Sequence, residues 1–196
     1  MMEVLVLGST GLVGTALTSM LRSDPAFTTI RTPGRAELSA PYPPEWRPDV
    51  IMCCLGTTIK RAGSQTAFEE VDRHIPVRIA REMFERGCRH CIVVSAIGSD
   101  IDSRIFYSRV KGAMEADLRS IGFTSLTIVR PSLLLGNRRE FRLGERLSML
   151  LMIPLARLIP ARWRGVRDTE VAAAMIADAL HPVPGVRFIE NAEMVG

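Results

Sequence analysis

The chain has 196 residues, of which 47% are hydrophobic and 23% are charged, with a formal net charge of +4. This length suits one domain with a buried core, and the composition excludes a disordered polyelectrolyte. No run of about 18 apolar residues occurs, so we expect no membrane span. The basic residues are spread along the chain without a basic tail, which argues against nucleic-acid binding.

The cysteines indicate a reducing compartment. Cys53 and Cys54 lie in an apolar run, where free buried thiols are expected. Cys88 and Cys91 form a single C-x-x-C pair, and one pair is too few for a structural zinc site. We therefore expect a cytoplasmic protein without a metal site.

Apolar segments alternate with helical segments along the chain. In chain order, we predict a strand at Glu3–Gly8, a helix at Gly11–Arg22, strands at Phe27–Thr32 and Asp49–Gly56, a helix over about Thr66–Arg86, a strand at His90–Gly98, a helix at Arg104–Ile121, a strand that begins Ser125–Gly136, a helix over about Asp168–Leu180 and a strand at Val186–Asn191. The strands are uniformly apolar, which is typical of a parallel sheet covered on both faces.

The predicted fold is therefore α/β, a doubly wound parallel sheet of the Rossmann type. We expect residues 1–196 to form a single dinucleotide-binding domain, because no linker or internal repeat divides the chain. An excursion at about 137–166 is predicted to form a small C-terminal cap near the strand ends.

A glycine-rich turn, GSTGLVG, follows the first predicted strand and opens the first predicted helix. A dinucleotide pyrophosphate needs free N–H donors at a helix N-terminus and close approach of the backbone, which glycine allows. The G-x-x-G-x-x-G spacing alone is a weak signal, but its position favours a nicotinamide dinucleotide site over a simple helix cap. The predicted contacts are Gly8, Ser9, Thr10, Gly11, Leu12, Val13 and Gly14.

The second strand bears on the choice between NADP and NAD. NAD-binding domains usually place an acidic residue near the end of this strand, to bind the ribose 2′-hydroxyl. The segment from Phe27 to Ala36 has no acid, but it contains Arg31 and Arg35, which could bind a 2′-phosphate. We therefore predict NADP, with NAD as the alternative; two solvated arginines would leave the preference open.

Tyr107 and Lys111 lie four residues apart in a predicted helix and so share one of its faces. A neighbouring ammonium favours the phenolate, so we expect Lys111 to lower the pKa of Tyr107. Such a tyrosine can exchange a proton with a carbonyl or an alcohol. Ser95 ends an apolar strand, where α/β sheets place their sites, and could bind the same substrate oxygen. An amphipathic helix without a catalytic role is the alternative.

These motifs resemble the short-chain dehydrogenase/reductase family, in its extended or atypical NAD(P)-binding group. Within that group the chain is similar to the Tat-interacting-protein-like oxidoreductase branch. The segments that carry the resemblance are GSTGLVG, CCLGTTIKRAGS, FEEVDRH, VVSAIGSD, YSRVKG, VRPSLLLGNR and EFRLGERL.

The resemblance implies roles for particular residues. Ser95, Tyr107 and Lys111 would form the catalytic triad, and Lys111 would also hold the nicotinamide ribose. Related enzymes often complete a proton relay with a helical asparagine, and Asp72 stands in the comparable position here. Further cofactor contacts would come from Leu55, Gly56 and Thr57 on the adenosine side and from Pro131, Ser132 and Leu133 at the nicotinamide carboxamide.

The predicted function is an NADP-dependent oxidoreductase that transfers hydride to or from a small carbonyl or alcohol. Arg138 and Arg142, in the cap, are candidates for binding the substrate, although a salt-bridged surface loop explains them equally well. The alternative function is a non-catalytic NADP-sensing regulator or assembly factor that binds a protein partner. A homodimer also stays open.

Overall fold

The computed structural model describes residues 1–39, 41–135 and 160–195. Besides short 3₁₀ helices at Arg35–Ser39 and Ala161–Trp163 and a π-helical turn at Glu70–His74, called here the π-turn, its elements are β1 (Met2–Leu7), α1 (Leu12–Ser23), β2 (Phe27–Arg31), β3 (Val50–Cys53), α2 (Ile59–Ala62), α3 (Gln65–Glu69), α4 (Ile75–Glu85), β4 (His90–Val94), α5 (Phe106–Ile121), β5 (Ser125–Arg130), β6 (Leu134–Leu135), β7 (Val166–Arg167), α6 (Asp168–Leu180), β8 (Gly185–Glu190) and α7 (Asn191–Met194).

Six of the described strands form one parallel sheet in the order β2-β1-β3-β4-β5-β8. All pairings in this sheet are parallel, so the carboxyl ends of the strands meet at one edge. In this order β2 lies on one side of β1, whereas β3 and the strands that follow it lie on the other side. In doubly wound sheets this switch point is where ligands bind. The α/β fold predicted from the sequence is confirmed.

Helices cover both faces of the sheet and so bury the apolar strands on each side. One face packs against α1 and α6, and the other packs against α4 and α5. On α1, Val13, Leu17 and Leu21 recur at helical spacing and are buried against the sheet. No helix in the described ranges is both long and apolar enough to cross a membrane.

The helix predicted over about Thr66–Arg86 is instead divided into α3, the π-turn and α4. In the π-turn the Ile75 N–H donates to the Glu70 carbonyl, five residues back. Pro76 has no N–H, so the α-helical hydrogen bond that would reach the Asp72 carbonyl cannot form. A wider turn at this place is the local consequence.

The last part of the described chain adds a short two-stranded sheet and a short helix after the last strand. β6 and β7 pair in parallel, with Leu134 opposite Val166, which brings the start of α6 beside the end of β5. The last predicted strand is β8, but Asn191 begins α7 rather than ending the strand. Most of the predicted cap lies in 136–159, outside the described residues, so the cap and the single-domain assignment stay predictions.

Candidate active site

A cleft of about 830 Å³ opens where β1, β3 and β4 end, and its volume is within the usual range for small-molecule sites. It brings together the loops that follow these strands and the first turns of α1 and α5. Among the described residues the lining consists of Thr10, Gly11, Leu12, Val13, Thr15, Ala16, Ser19, Cys54, Leu55, Gly56, Thr57, Thr58, Arg61, Asp72, Val94, Ser95, Tyr107, Lys111, Leu134 and Asp168.

Two glycines, Gly8 and Gly14, let the turn between β1 and α1 pack closely against the backbone on the side away from the cleft. Gly8 has a φ of +79°, and a Cβ there would lie 2.8 Å from the Cys54 carbonyl oxygen. A Cβ on Gly14 would overlap the carbonyl oxygen of Gly8. Gly8 and Gly14 therefore allow close packing of the turn, while the segment Thr10–Val13 faces the cleft.

The N-terminus of α1 opens on the cleft without a side-chain cap. Gly11 is the N-cap residue, no side chain accepts from the first turn, and that turn has no acidic residue. The first N–H groups of a helix lack partners within the helix, and the helix dipole makes this end electropositive. These donors, beside glycines that admit close approach, are what a dinucleotide pyrophosphate requires.

Tyr107 and Lys111 lie on the first two turns of α5, and both line the cleft. The Lys111 ammonium pairs with Asp72 of the π-turn, Nζ to Oδ1 at 2.9 Å. The other oxygen of Asp72, Oδ2, accepts the backbone N–H of Thr57 at 2.8 Å. Asp72 thus joins α5 to the loop after β3, and the Tyr107 ring packs on the buried ring of Phe68 at 5.7 Å.

The expected lowering of the Tyr107 pKa is wrong. Tyr107 is 39% exposed, but partial burial of its side chain still raises its pKa and outweighs the lowering effect of Lys111; Asp72 raises it further. Burial also opposes the charged form of Lys111, but the neighbouring Asp72 carboxylate outweighs it and raises the pKa of Lys111 above its usual value. At neutral pH the site therefore holds a neutral phenol beside an ion pair.

Ser95 lines the cleft, but its hydroxyl is engaged inside the protein. It donates to Glu115 Oε1 at 2.5 Å and lies 3.0 Å from Ser99 Oγ. Glu115 is buried one helical turn beyond Lys111 and forms an ion pair with Arg130 at 2.5 Å. Because its only proton is directed to Glu115, Ser95 presents an acceptor oxygen to the cleft.

Several predicted cofactor residues lie away from the cleft. Arg31 pairs with Glu3 at 2.5 Å and its guanidinium lies 4.8 Å from the Trp46 ring centroid. Arg35 is exposed on the 3₁₀ helix and does not line the cleft. The segment Pro131–Leu133 is also absent from the lining, where Leu134 takes its place. Arg138 and Arg142 lie outside the described residues.

Several of the lining residues were not predicted from the sequence, including Thr58, Arg61, Asp168 and Cys54. Thr58 and Arg61 lie in the short helix α2 or at its start, and Asp168 begins α6. The TTIKRAGS segment carries basic residues beside a predicted strand end, which is the one signal that could have identified Arg61. Cys54 also lines the cleft, but burial raises its pKa well above 9.0, so it is not a thiolate nucleophile at neutral pH.

The chain is similar to curated proteins over nearly all of its length, although no protein-family model matches it. It is 31% identical to the mitochondrial protein FMP52 of Eremothecium gossypii, over 99% of this chain and 96% of that protein. It is 30% identical to HTATIP2 of Rattus norvegicus, over 96% of this chain and 86% of that protein. The FMP52 names do not support the expected cytoplasmic location.

Solved structures share the fold at low sequence identity. A dTDP-4-dehydrorhamnose reductase from Clostridium acetobutylicum aligns with a TM-score of 0.71 and 14% identity, over 96% of this chain and 74% of that one. A small-chain dehydrogenase in complex with NADPH aligns with a TM-score of 0.66 and 13% identity, over 99% of both chains. Together with the curated relatives, this confirms the resemblance to the short-chain dehydrogenase/reductase family. The chain belongs to its FMP52/HTATIP2 branch.

Proposed function

We propose that this protein is an NADP-dependent oxidoreductase that transfers hydride to or from a small substrate, with carbonyl reduction as the favoured direction. One observation carries the proposal: the uncapped N-terminus of α1 and the Tyr107–Lys111 pair line the same cleft. A helix end suited to a pyrophosphate and a side chain suited to proton transfer are thus within one site.

The chain's own residues would perform the proton transfer. A nicotinamide in the cleft would supply the hydride. The Tyr107 hydroxyl is protonated at neutral pH, so it can donate to a carbonyl oxygen as negative charge develops there. The Lys111 ammonium would stabilise the phenolate that results and would bind the nicotinamide ribose. Ser95 would accept a hydrogen bond from the hydroxyl of the alcohol.

The rest of the cofactor would lie along the strand ends. The turn from Gly8 to Gly14 would hold the pyrophosphate, and the segment Leu55–Thr57 would border the adenosine. NADP is favoured over NAD because β2 has no acidic residue. Since Arg31 is already paired with Glu3 and Arg35 does not line the cleft, the ribose 2′-phosphate would rely more on Arg61, which does.

The test is oxidation of NADPH in the presence of a panel of small aldehydes and ketones. The chain has two tyrosines, which provide a matched pair of variants. Tyr107→Phe should lower turnover by roughly 10²- to 10⁴-fold while NADPH still binds, because only the proton donor is lost. Tyr42→Phe, buried among the residues packed on α4 and absent from the cleft lining, should retain wild-type turnover.

One observation favours the second candidate, a cofactor-binding regulator without turnover. The hydroxyl of Ser95 is directed to Glu115, so the predicted triad lacks one donor toward the substrate. Tight NADPH binding with no turnover of any panel member, and equal behaviour of the two tyrosine variants, would favour this candidate over the oxidoreductase.

A further inference from the structure

Ser95 lines the candidate cleft, but its hydroxyl is bonded to groups inside the protein. The residue follows β4 and is 4% exposed, and its backbone N–H donates to the Val129 carbonyl at 2.8 Å, which fixes it at the sheet edge. Among the described residues, the hydrogen-bond neighbours of its hydroxyl are Glu115 Oε1 at 2.5 Å and Ser99 Oγ at 3.0 Å. Both neighbours are buried.

The Glu115 carboxylate is the stronger acceptor of the two. Arg130 binds it through two donors, with Nε 3.1 Å from Oε1 and Nη2 2.5 Å from Oε2. A carboxylate paired with a guanidinium only accepts hydrogen bonds, and such charge-assisted bonds are strong. Because Glu115 is buried, loss of the Ser95 proton would leave an acceptor that water does not reach. The Ser95 proton is therefore held by Glu115.

Ser99 does not release this proton to the cleft. The Ser99 hydroxyl lies 2.7 Å from the Ala96 carbonyl oxygen and can donate to it, in which case its oxygen can only accept from Ser95. If Ser99 donates to Ser95 instead, the Ser95 proton stays on Glu115. In each arrangement the Ser95 proton points into the protein, so the cleft meets only lone pairs of the Ser95 oxygen.

An acceptor at this place selects the substrate group that contacts it. A carbonyl oxygen against Ser95 would bring two acceptors together without a proton between them, and the negative charge that develops during hydride transfer would increase their repulsion. The alcohol form of a simple substrate can donate to Ser95, but its carbonyl form cannot. A substrate that binds as a carbonyl therefore needs a second group that is a hydrogen-bond donor.

We propose that Ser95 determines specificity and that the cleft takes hydroxy ketones and hydroxy aldehydes. The substrate hydroxyl would donate to Ser95 while the carbonyl oxygen accepts from Tyr107; both side chains line the same cleft. This substrate class rests on the proposed function. A simple ketone would leave the Ser95 oxygen without a donor and would be a poorer substrate.

The experiment compares three ketones that differ in one group beside the carbonyl: hydroxyacetone, methoxyacetone and butanone. The hydroxyl donates and accepts, the methoxy group only accepts, and the methyl group of butanone does neither. With NADPH as the reductant, Ser95→Ala should lower kcat/KM for hydroxyacetone roughly tenfold more than for the other two, which is the effect of one hydrogen bond. A second series, with each group one carbon further from the carbonyl, covers a wider separation of Ser95 and Tyr107.

Ser99→Ala is the matched control. It is the same substitution at the serine beside Ser95, and Ser99 is not among the described residues that line the cleft. The Ser95 proton stays on Glu115 in this variant, so the preference for the hydroxy ketone should persist. Equal losses for all ketones in Ser95→Ala would make its role structural, and equal losses for the hydroxy and methoxy ketones would make it a donor. Either result in both series would overturn the substrate class while the oxidoreductase stands.

Failure of the proposed function itself gives a different result. If no ketone were turned over, the oxidoreductase would be rejected, and NMR titration of the NADPH-loaded protein with the same ketones would test Ser95 by binding alone. Ser95→Ala should then raise the dissociation constant of the hydroxy ketone roughly tenfold more than those of its analogues. Equal changes for all of them, or no measurable binding of any ketone, would overturn the assignment of Ser95.

Discussion

The buried hydroxyl of Ser95 donates a hydrogen bond to the carboxylate of Glu115, with 2.5 Å between Oγ and Oε1. Glu115 lies on the same face of α5 as Tyr107 and Lys111, at the next helical turn, and is paired with Arg130 at the end of β5. This face of the helix thus carries both Tyr107, the proposed proton donor, and the group that turns Ser95 inward. With the Ser95 hydroxyl turned inward, Tyr107 takes a larger share of the proposed proton transfer.

Glu115→Gln should destabilise the protein. The amide cannot pair with Arg130, and breaking a largely buried ion pair costs about 3 to 5 kcal/mol. Arg130 is 23% exposed and keeps Glu190 as a partner, so we expect about 2 to 3 kcal/mol, below most of that range. Urea denaturation measures this loss. Glu85→Gln, on the exposed surface of α4, is the control; equal stability of the two variants would contradict a structural role for Glu115.

Arg61→Ala should weaken NADPH binding roughly tenfold, which corresponds to one charge-assisted hydrogen bond to an anionic group. Lys60 is the adjacent residue in α2 and is exposed, but it does not line the cleft. Lys60→Ala removes the same charge and should change the dissociation constant by less than about twofold. Fluorescence titration with NADPH compares the two. If both variants weakened NADPH binding equally, the loss would reflect general electrostatic attraction and not a specific contact of Arg61 with the cofactor.

Gly14→Ala should disrupt the turn between β1 and α1. Its Cβ would overlap the carbonyl oxygen of Gly8, which cannot move without shifting β1. We expect a loss of about 3 kcal/mol of stability together with loss of NADPH binding. In Gly34→Ala the added Cβ would lie 3.4 Å from the flexible Glu37 side chain, so melting temperature and binding should stay near wild type. Unaltered NADPH affinity in Gly14→Ala would be incompatible with the proposed pyrophosphate site.

The free energy of unfolding should fall between pH 9 and pH 11. Burial raises the pKa values of Cys53 and Cys88 from their ordinary 9.0 to about 11. The unfolded thiols ionise from about pH 9 while the folded thiols stay neutral, so stability present below pH 9 is lost as pH rises to about 11. Each of these two thiols would account for roughly 3 kcal/mol at most.

Urea denaturation at a series of pH values measures this loss. A Cys88→Ala variant should lose less stability than the wild type over the same interval, because one of the four thiols whose pKa the fold raises is absent. Parallel curves for the two proteins would assign the alkaline loss to other groups.

Local patterns explain what the sequence could predict. The turn from Gly8 to Gly14 and the pair Tyr107 and Lys111 each lie within one or two helical turns, and their spacing alone brings them to one face. Asp72 and Glu115 were beyond such reasoning, because their partners come from other elements that meet only in the folded sheet. The direction of the Tyr107 pKa shift depends on burial, which the helical spacing does not contain.

Other errors have the same origin. Arg31 looked free in the sequence because its partner Glu3 lies on the neighbouring strand, 28 residues away. The long helix predicted around Asp72 has the right composition, yet Pro76 converts part of it into the π-turn. In both cases the predicted element type, a strand for Arg31 and a helix for Pro76, is correct. What the sequence missed is the ion pair of Arg31 in the first case and the effect of the missing Pro76 N–H in the second.

Calorimetric titration of the wild-type protein with NADPH and with NADH tests the central claim most directly. The cleft beside α1 predicts saturable binding of one dinucleotide per chain, tighter for NADPH than for NADH. Saturable binding with NADH the tighter ligand would contradict the choice of NADP while leaving the site intact. Absence of binding for both would contradict the proposed function itself.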